Sequence, residues 1–173
     1  MHALFGEGMF AAAGARRHAD WRLDALGVMQ LVTEDPRGWS RRVLGPEGGI
    51  YGSGPNGPFG AVTHNDFIGA FPVARRGAEQ IMDTLQGEWF QANDIPDFHE
   101  REAELTGHAK AILARFGEDA LFFTNAVSAR NNPHADMFRR EGVYEGFTDH
   151  VMDCGVIAVS ATEVGIFWGF TID

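Results

Sequence analysis

Lysine is almost absent from this chain: Lys110 is the one lysine among 14 basic residues, against 24 acids, for a formal net charge of -10. So negative a chain offers no electrostatic footprint for nucleic-acid phosphates or an anionic lipid surface, which makes both poor partners, whereas a basic protein surface suits it. Cysteine is equally scarce. Cys154 stands alone, so no intrachain disulfide can form, nothing requires an oxidising compartment, and the expected location is cytoplasmic. No run approaches the roughly 20 apolar residues that span a bilayer. Leu4 to Ala15 is small and mildly apolar, but no basic residue precedes it and Arg16-Arg17 follows it, the reverse of a signal peptide. Gly-x-Ser-x-Gly, a Walker lysine, Cys-x-x-Cys and His-Glu-x-x-His are all missing.

What the chain does have is a C-terminal stretch, 155–173, that reads as two strands. Val164, Ile166, Trp168, Phe170 and Ile172 share one face, expected to be core, while Gly165, Phe167, Gly169 and Thr171 share the other, expected to be nearly bare. Glycine weakens a strand unless the space is needed, so Gly165 and Gly169 point to close approach by a helix or a ligand. With 173 residues the chain reads as a single domain over 1–173, large enough to bury roughly two thirds of its unfolded surface.

Trp21, Ala25, Val28, Met29 and Val32 fall on one stripe of a helix that must stop before Pro36, after which Trp39 is expected to return to the core. Residues 45–60 hold seven glycines and three prolines, which leaves a flexible loop or lid. Gly52 to Gly57 matches a dinucleotide pattern in form only, because Pro55 and Pro58 block the helix it needs. Ala78, Ile81, Met82, Leu85 and Trp89 mark a helical face over about 74–90. The next helix has Asp94 near its N-cap, Pro96 near N1 and Gly117 as C-cap, with Phe98, Leu105, Ala109, Ile112 and Phe116 buried and Glu100, Arg101, Glu104 and Lys110 in solvent. Leu121 to Thr124 reads as a short strand, Asn132-Pro133 as the start of a short helix ending at Gly142, and Val143 to Met152 as a further strand. Helices first and mostly strands after give an α+β fold, an antiparallel sheet covered by helices.

Metal-ligating types occur as His64-Asn65-Asp66, His99-Glu100, His134-Ala135-Asp136 and Asp149-His150, at spacings that define no metal site. Cys154 reads as a small buried residue at the head of a strand rather than a nucleophile. No catalytic residue, metal or cofactor is assigned. The abundant aromatics, with few polar groups among them, match the make-up of a small-molecule pocket; its expected members are Trp89, Phe123, Phe167 and Trp168, with Asp94 or Thr148 as polar anchor.

Thr33-Glu34-Asp35-Pro36-Arg37-Gly38-Trp39 resembles the opening of the GAF- or PAS-like sensory domains of LuxR-type transcription regulators. Asp136 to Val151, followed by Val164 to Asp173, is similar to their last helix, glycine turn and closing strands. The resemblance implies a GAF/PAS-like fold and a cytoplasmic, homodimeric ligand-binding sensory module that holds a small apolar or aromatic molecule between sheet and helices. Two alternatives stand beside it: a small enzyme, with or without a metal, that uses His64, Asp66, His134 or His150, and an acidic protein-binding inhibitor of a basic partner.

Overall fold

Met9-Phe-Ala-Ala-Ala-Gly-Ala15 forms a strand, β1, in a chain whose computed structural model describes residues 9–38, 42–43 and 57–171. Alanine and glycine have low β-propensity, so the sequence does not mark this strand. They are there because the strand lies inside the sheet: an added Cβ on Gly14 would sit 2.8 Å from Val28. Next come α1 (Trp21–Met29), β2 (Arg42–Val43), β3 (Phe71–Val73), α2 (Arg75–Thr84), α3 (Phe98–Leu113), β4 (Leu121–Thr124), α4 (Ser128–Asn131), β5 (Asp153–Val159) and β6 (Glu163–Phe170). The strands form one antiparallel sheet in the order β2-β1-β6-β5-β4-β3. The fold is α+β, an antiparallel sheet covered by helices, as the element order implies.

Both faces of the sheet are covered. Phe10, Ile157, Ile166 and Trp168 pack beneath α1 with Phe59 and Phe67, and Ala11, Val156 and Phe167 pack beneath α2 and α3. The bare face expected on the C-terminal strand is therefore corrected: all eight residues of β6 are buried. Its glycines do mark close approach, and phenylalanine makes it. A Cβ on Gly165 would lie 2.3 Å from Phe116, and one on Gly169 would lie 2.8 Å from Phe90.

Other boundaries move for local reasons. Ala25, Val28 and Met29 are buried as expected, but α1 stops at Met29 and Leu31 turns left-handed at φ 59°, which leaves Val32 71% exposed. Ala78, Ile81, Met82 and Leu85 keep their buried stripe, whereas α2 ends at Thr84 and Trp89 leaves the stripe. The buried stripe of α3 is the one read from periodicity, and its N-cap is Asp97 rather than Asp94. No helix spans 133–142: α4 ends at Asn131, and a 3-10 turn at Met137–Arg139 starts on the Asp136 side chain. Nor do residues 143–152 form a strand beyond one bridge, Tyr144 to Ala126. The amides of Phe147 and Thr148 donate to the Asp153 carboxylate instead of to a neighbouring strand. Trp39 and residues 45–56 lie outside the described residues; Phe59 is fully buried.

The Asp-Pro element has a structural job. Both carboxylate oxygens of Asp35 accept from Arg115, at 2.7 and 2.5 Å, while Arg115 also donates to Glu163 at 2.9 Å. That buried network ties the chain after α1 to the end of α3 and the head of β6. At the middle of α3, exposed Gly107 has no atom within 4 Å of an added Cβ. Relative to alanine it costs the helix about 1 kcal/mol.

Between α2 and α3, buried Asp83 accepts from the Thr106 hydroxyl at 2.6 Å through one oxygen, and its other oxygen has no partner. Burial, against the Thr106 bond and with help from Glu79 and Glu102, pushes this carboxyl up to about 6. Its protonated form is therefore favoured by folding, so its contribution to stability is present at low pH and is lost as pH rises through about 6. Asp83→Asn is expected to be more stable than wild type at neutral pH by about 1–3 kcal/mol, and that gap is expected to close towards pH ~4. Urea unfolding of both chains across this range checks it; a gap that does not change with pH contradicts it.

Candidate functional site

The turn after α2 is built to hold one tryptophan outwards. Thr84 is the last residue of α2, and its hydroxyl donates to the Ile81 carbonyl at 2.9 Å. Phe90 then adopts a left-handed φ of 57°, a conformation that a bulky residue takes only when its surroundings compel it. Its ring is buried over Gly169 and meets Tyr144 edge-on at 5.9 Å. With Phe90 pinned inside, Trp89 faces out and is 47% exposed.

Hydrogen bonds fix the backbone of this turn. The Trp89 amide donates to Asp94 Oδ2 at 3.2 Å, and the Tyr144 hydroxyl donates to the Trp89 carbonyl at 3.3 Å. Buried Arg140 donates to the carbonyls of Phe90 and Met137, to Thr84 Oγ1 at 2.9 Å and to Tyr144 Oη at 3.1 Å. These acceptors are carbonyls and hydroxyls rather than carboxylates, so the guanidinium works here as a geometric clamp. Burial pushes Tyr144 up to about 12. It does the same to the Cys154 thiol, against the nearby Arg140 charge, so Cys154 stays an unreactive thiol at neutral pH.

The chain on either side of Trp89 is acidic in sequence, although Arg140 lies beneath the turn and its neighbour Arg139 is exposed. From Leu85 to Glu100 there is no lysine or arginine, and Glu88, Asp94, Asp97 and Glu100 are exposed. Further along the chain, at the start of α3, Asn93, Ile95, Asp97, Phe98 and Glu100 among others line a hollow of about 300 Å³. Asp97 is left-handed at φ 55°. Gly142 lies against Gln91, whose Nε2 would sit 2.6 Å from an added Cβ, and Val143 after it is 50% exposed. The result is a half-exposed indole on a turn whose backbone is held by Asp94, Tyr144 and Arg140, with exposed Glu88 before it in sequence.

Of the residues expected to share a pocket, Trp89 and Asp94 do meet, backbone to carboxylate. Thr148 and Trp168 are joined through buried Asp153, which accepts from Thr148 Oγ1 at 2.8 Å and from Trp168 Nε1 at 2.9 Å. Phe167 and Trp168 lie on opposite faces of the sheet and cannot line one cavity. Phe123 stacks on Trp21 at 4.3 Å, away from Trp89. Arg140 and Tyr144, which make the Trp89 turn, were not legible: no motif links them to a tryptophan more than fifty positions back.

The histidines are dispersed. His64 Nε2 lies 2.7 Å from Asp20 Oδ2, Asp66 accepts from the Thr63 amide at 2.7 Å, and His150 rests on the Phe170 ring at 4.9 Å. His134 is exposed beyond α4. Among the described residues no three His, Cys, Asp or Glu side chains are placed to hold a metal ion, and no helix is long and apolar enough to cross a membrane. No family model, curated protein or solved structure matches the chain.

Proposed function

We propose that this chain is an acidic binding module that docks on a basic protein surface, with Trp89 as its anchor and Glu88, Asp94 and Asp97 as the charged rim. One observation carries this reading: a large aromatic side chain, 47% exposed, stands on backbone locked by a buried arginine, a tyrosine hydroxyl and a carboxylate. Leaving an indole in water is unfavourable, and holding it there with this much local structure is useful when a partner covers it. Rigid presentation lowers the ordering cost of association, which is where hot-spot tryptophans gain their strength. The rim chooses the partner's sign, because carboxylates around an indole favour arginine, by charge and by stacking on the ring. A sensory module that encloses an apolar ligand would draw on space between sheet and helices; at the two strand glycines that space holds Phe116 and Phe90.

Calorimetric titration with a peptide that alternates arginine and leucine tests the proposal. Binding is expected at about 0.05 M salt and is expected to weaken at least tenfold at about 0.5 M, as screening shortens the reach of the rim charges. No binding at low salt, or affinity unchanged by salt, contradicts it.

A further inference from the structure

Residues drawn from 127–141 line a second hollow, of about 440 Å³, and Arg140 is one of them. Arg140 is 5% exposed, and among the described residues no carboxylate lies within ion-pair distance of it. Burial pushes Tyr144 and Cys154, on which its charge acts, up to about 12, so both are neutral at pH 7. Asp94 and Asp153, which act on the same two groups, already accept from the Trp89 amide at 3.2 Å and the Trp168 indole at 2.9 Å. A buried positive charge is costly until an opposite one is supplied.

The backbone here sets two opposite charges on one side. Arg140 is extended, at φ -65° and ψ 149°, so Arg139 before it and Glu141 after it point to the same side, as alternate residues of an extended chain do. Both line the hollow and both are exposed, yet they do not pair with each other. Arg139 Nε has Asp136 at 3.8 Å, whose Oδ1 already accepts from Gln80 and the Phe138 amide, and Glu141 faces no cation among the described residues. Ser128 and Asn131 line the hollow too, with side chains that make no hydrogen bond among those residues.

We propose that this hollow binds a small zwitterion of the α-amino-acid type, its carboxylate on the Arg139 fork beside the Arg140 charge, its ammonium on Glu141, and its side chain along Val127 and Ala135. The planar guanidinium matches a carboxylate in shape as well as charge. Asp136 and Glu141 on the same rim disfavour a dianion such as phosphate, because like charges repel at this range. A plain amine would leave the two arginines unanswered. Nothing here rests on the Trp89 reading.

Thermal unfolding of the full chain with each standard L-amino acid at about 10 mM, followed by calorimetric titration of the one with the largest shift, tests this proposal. At least one amino acid is expected to raise the midpoint, since it binds only the folded chain. The same acid without its amino group is expected to bind about tenfold more weakly or worse. Arg139→Gln is expected to weaken binding of the amino acid about tenfold or more, and Glu141→Gln to weaken it for the amino acid but not for the acid without the amino group. Both free variants should unfold at the wild-type midpoint, because both side chains are exposed. Trp89→Ala is expected to bind the amino acid as wild type does, so this test and the docking test fail separately. No shift with any amino acid, an Arg139→Gln chain that binds as tightly as wild type, or equal affinity for the acid without its amino group overturns the proposal.

Discussion

Asp153→Ala is expected to lower stability by about 4 kcal/mol or more, a large part of the 5–15 kcal/mol typical of a domain. Asp153 is 1% exposed and accepts from Asn125 Nδ2 at 3.0 Å, the Phe147 amide at 3.0 Å, the Thr148 amide at 2.8 Å, the Thr148 hydroxyl at 2.8 Å and Trp168 Nε1 at 2.9 Å. Removing the carboxylate strands the Phe147 amide and the Trp168 indole in the core, where each unsatisfied group costs about 1–3 kcal/mol, and takes a partner from part-buried Thr148, while Asn125 keeps its bonds to the Glu145 and Asp153 carbonyls. The indole and the Phe147 amide cannot turn to water, because both are buried against β5 and β6, which are buried along their whole length. Asp153→Asn keeps one acceptor and should fall between alanine and wild type. Urea midpoints for the three chains check this order; an alanine variant within about 1 kcal/mol of wild type contradicts it.

Arg140→Met is expected to have the next largest effect, and a local one. The substitution keeps the length of the side chain but leaves the carbonyls of Phe90 and Met137 without their donor. Thr84 and Tyr144 lose less, since each retains a bond to a carbonyl, at 2.9 Å to Ile81 and 3.3 Å to Trp89. Two bare carbonyls cost about 2–6 kcal/mol together, offset in part because methionine no longer holds a buried charge, for a net loss of about 2–3 kcal/mol. The distinguishing readout is hydrogen exchange. The Trp89 amide, held by Asp94, should lose protection well beyond the global loss, because the Phe90 turn is no longer tied down. Equal loss across the sheet and this turn would mean that Arg140 does not set the geometry of Trp89.

Much of the fold could be read because burial imposes a period. The stripe of α3 and the short β4 strand show one, while β5 and β6, buried along both faces, were legible as strands from their run of apolar and β-branched residues and not from a buried period. β1 shows none: buried on both sides, it consists largely of alanine and glycine that fit under α1 and α2, so neither alternation nor propensity marks it. Trp89 and Asp94 were legible as candidate site residues by type, yet Trp89 was expected inside. Periodicity assumes that the helix continues, and it cannot show that Thr84 and the left-handed Phe90 end the stripe four residues earlier. The same blindness hid Arg140 and Asp153, whose partners come from distant parts of the chain. The strand glycines pointed to the right place for a different reason: the room at Gly169 is used by Phe90, the residue that turns Trp89 outwards.

The most direct test of the docking account is the arginine–leucine peptide titration repeated with Trp89→Ala at low salt, beside a thermal unfolding scan of each chain. The predicted result is at least a thirtyfold loss of affinity, about 2 kcal/mol, with an unchanged midpoint, because the half-exposed indole contributes little to the core. Equal affinity in the two chains would contradict the assignment of Trp89 as anchor and, with it, the proposed docking surface.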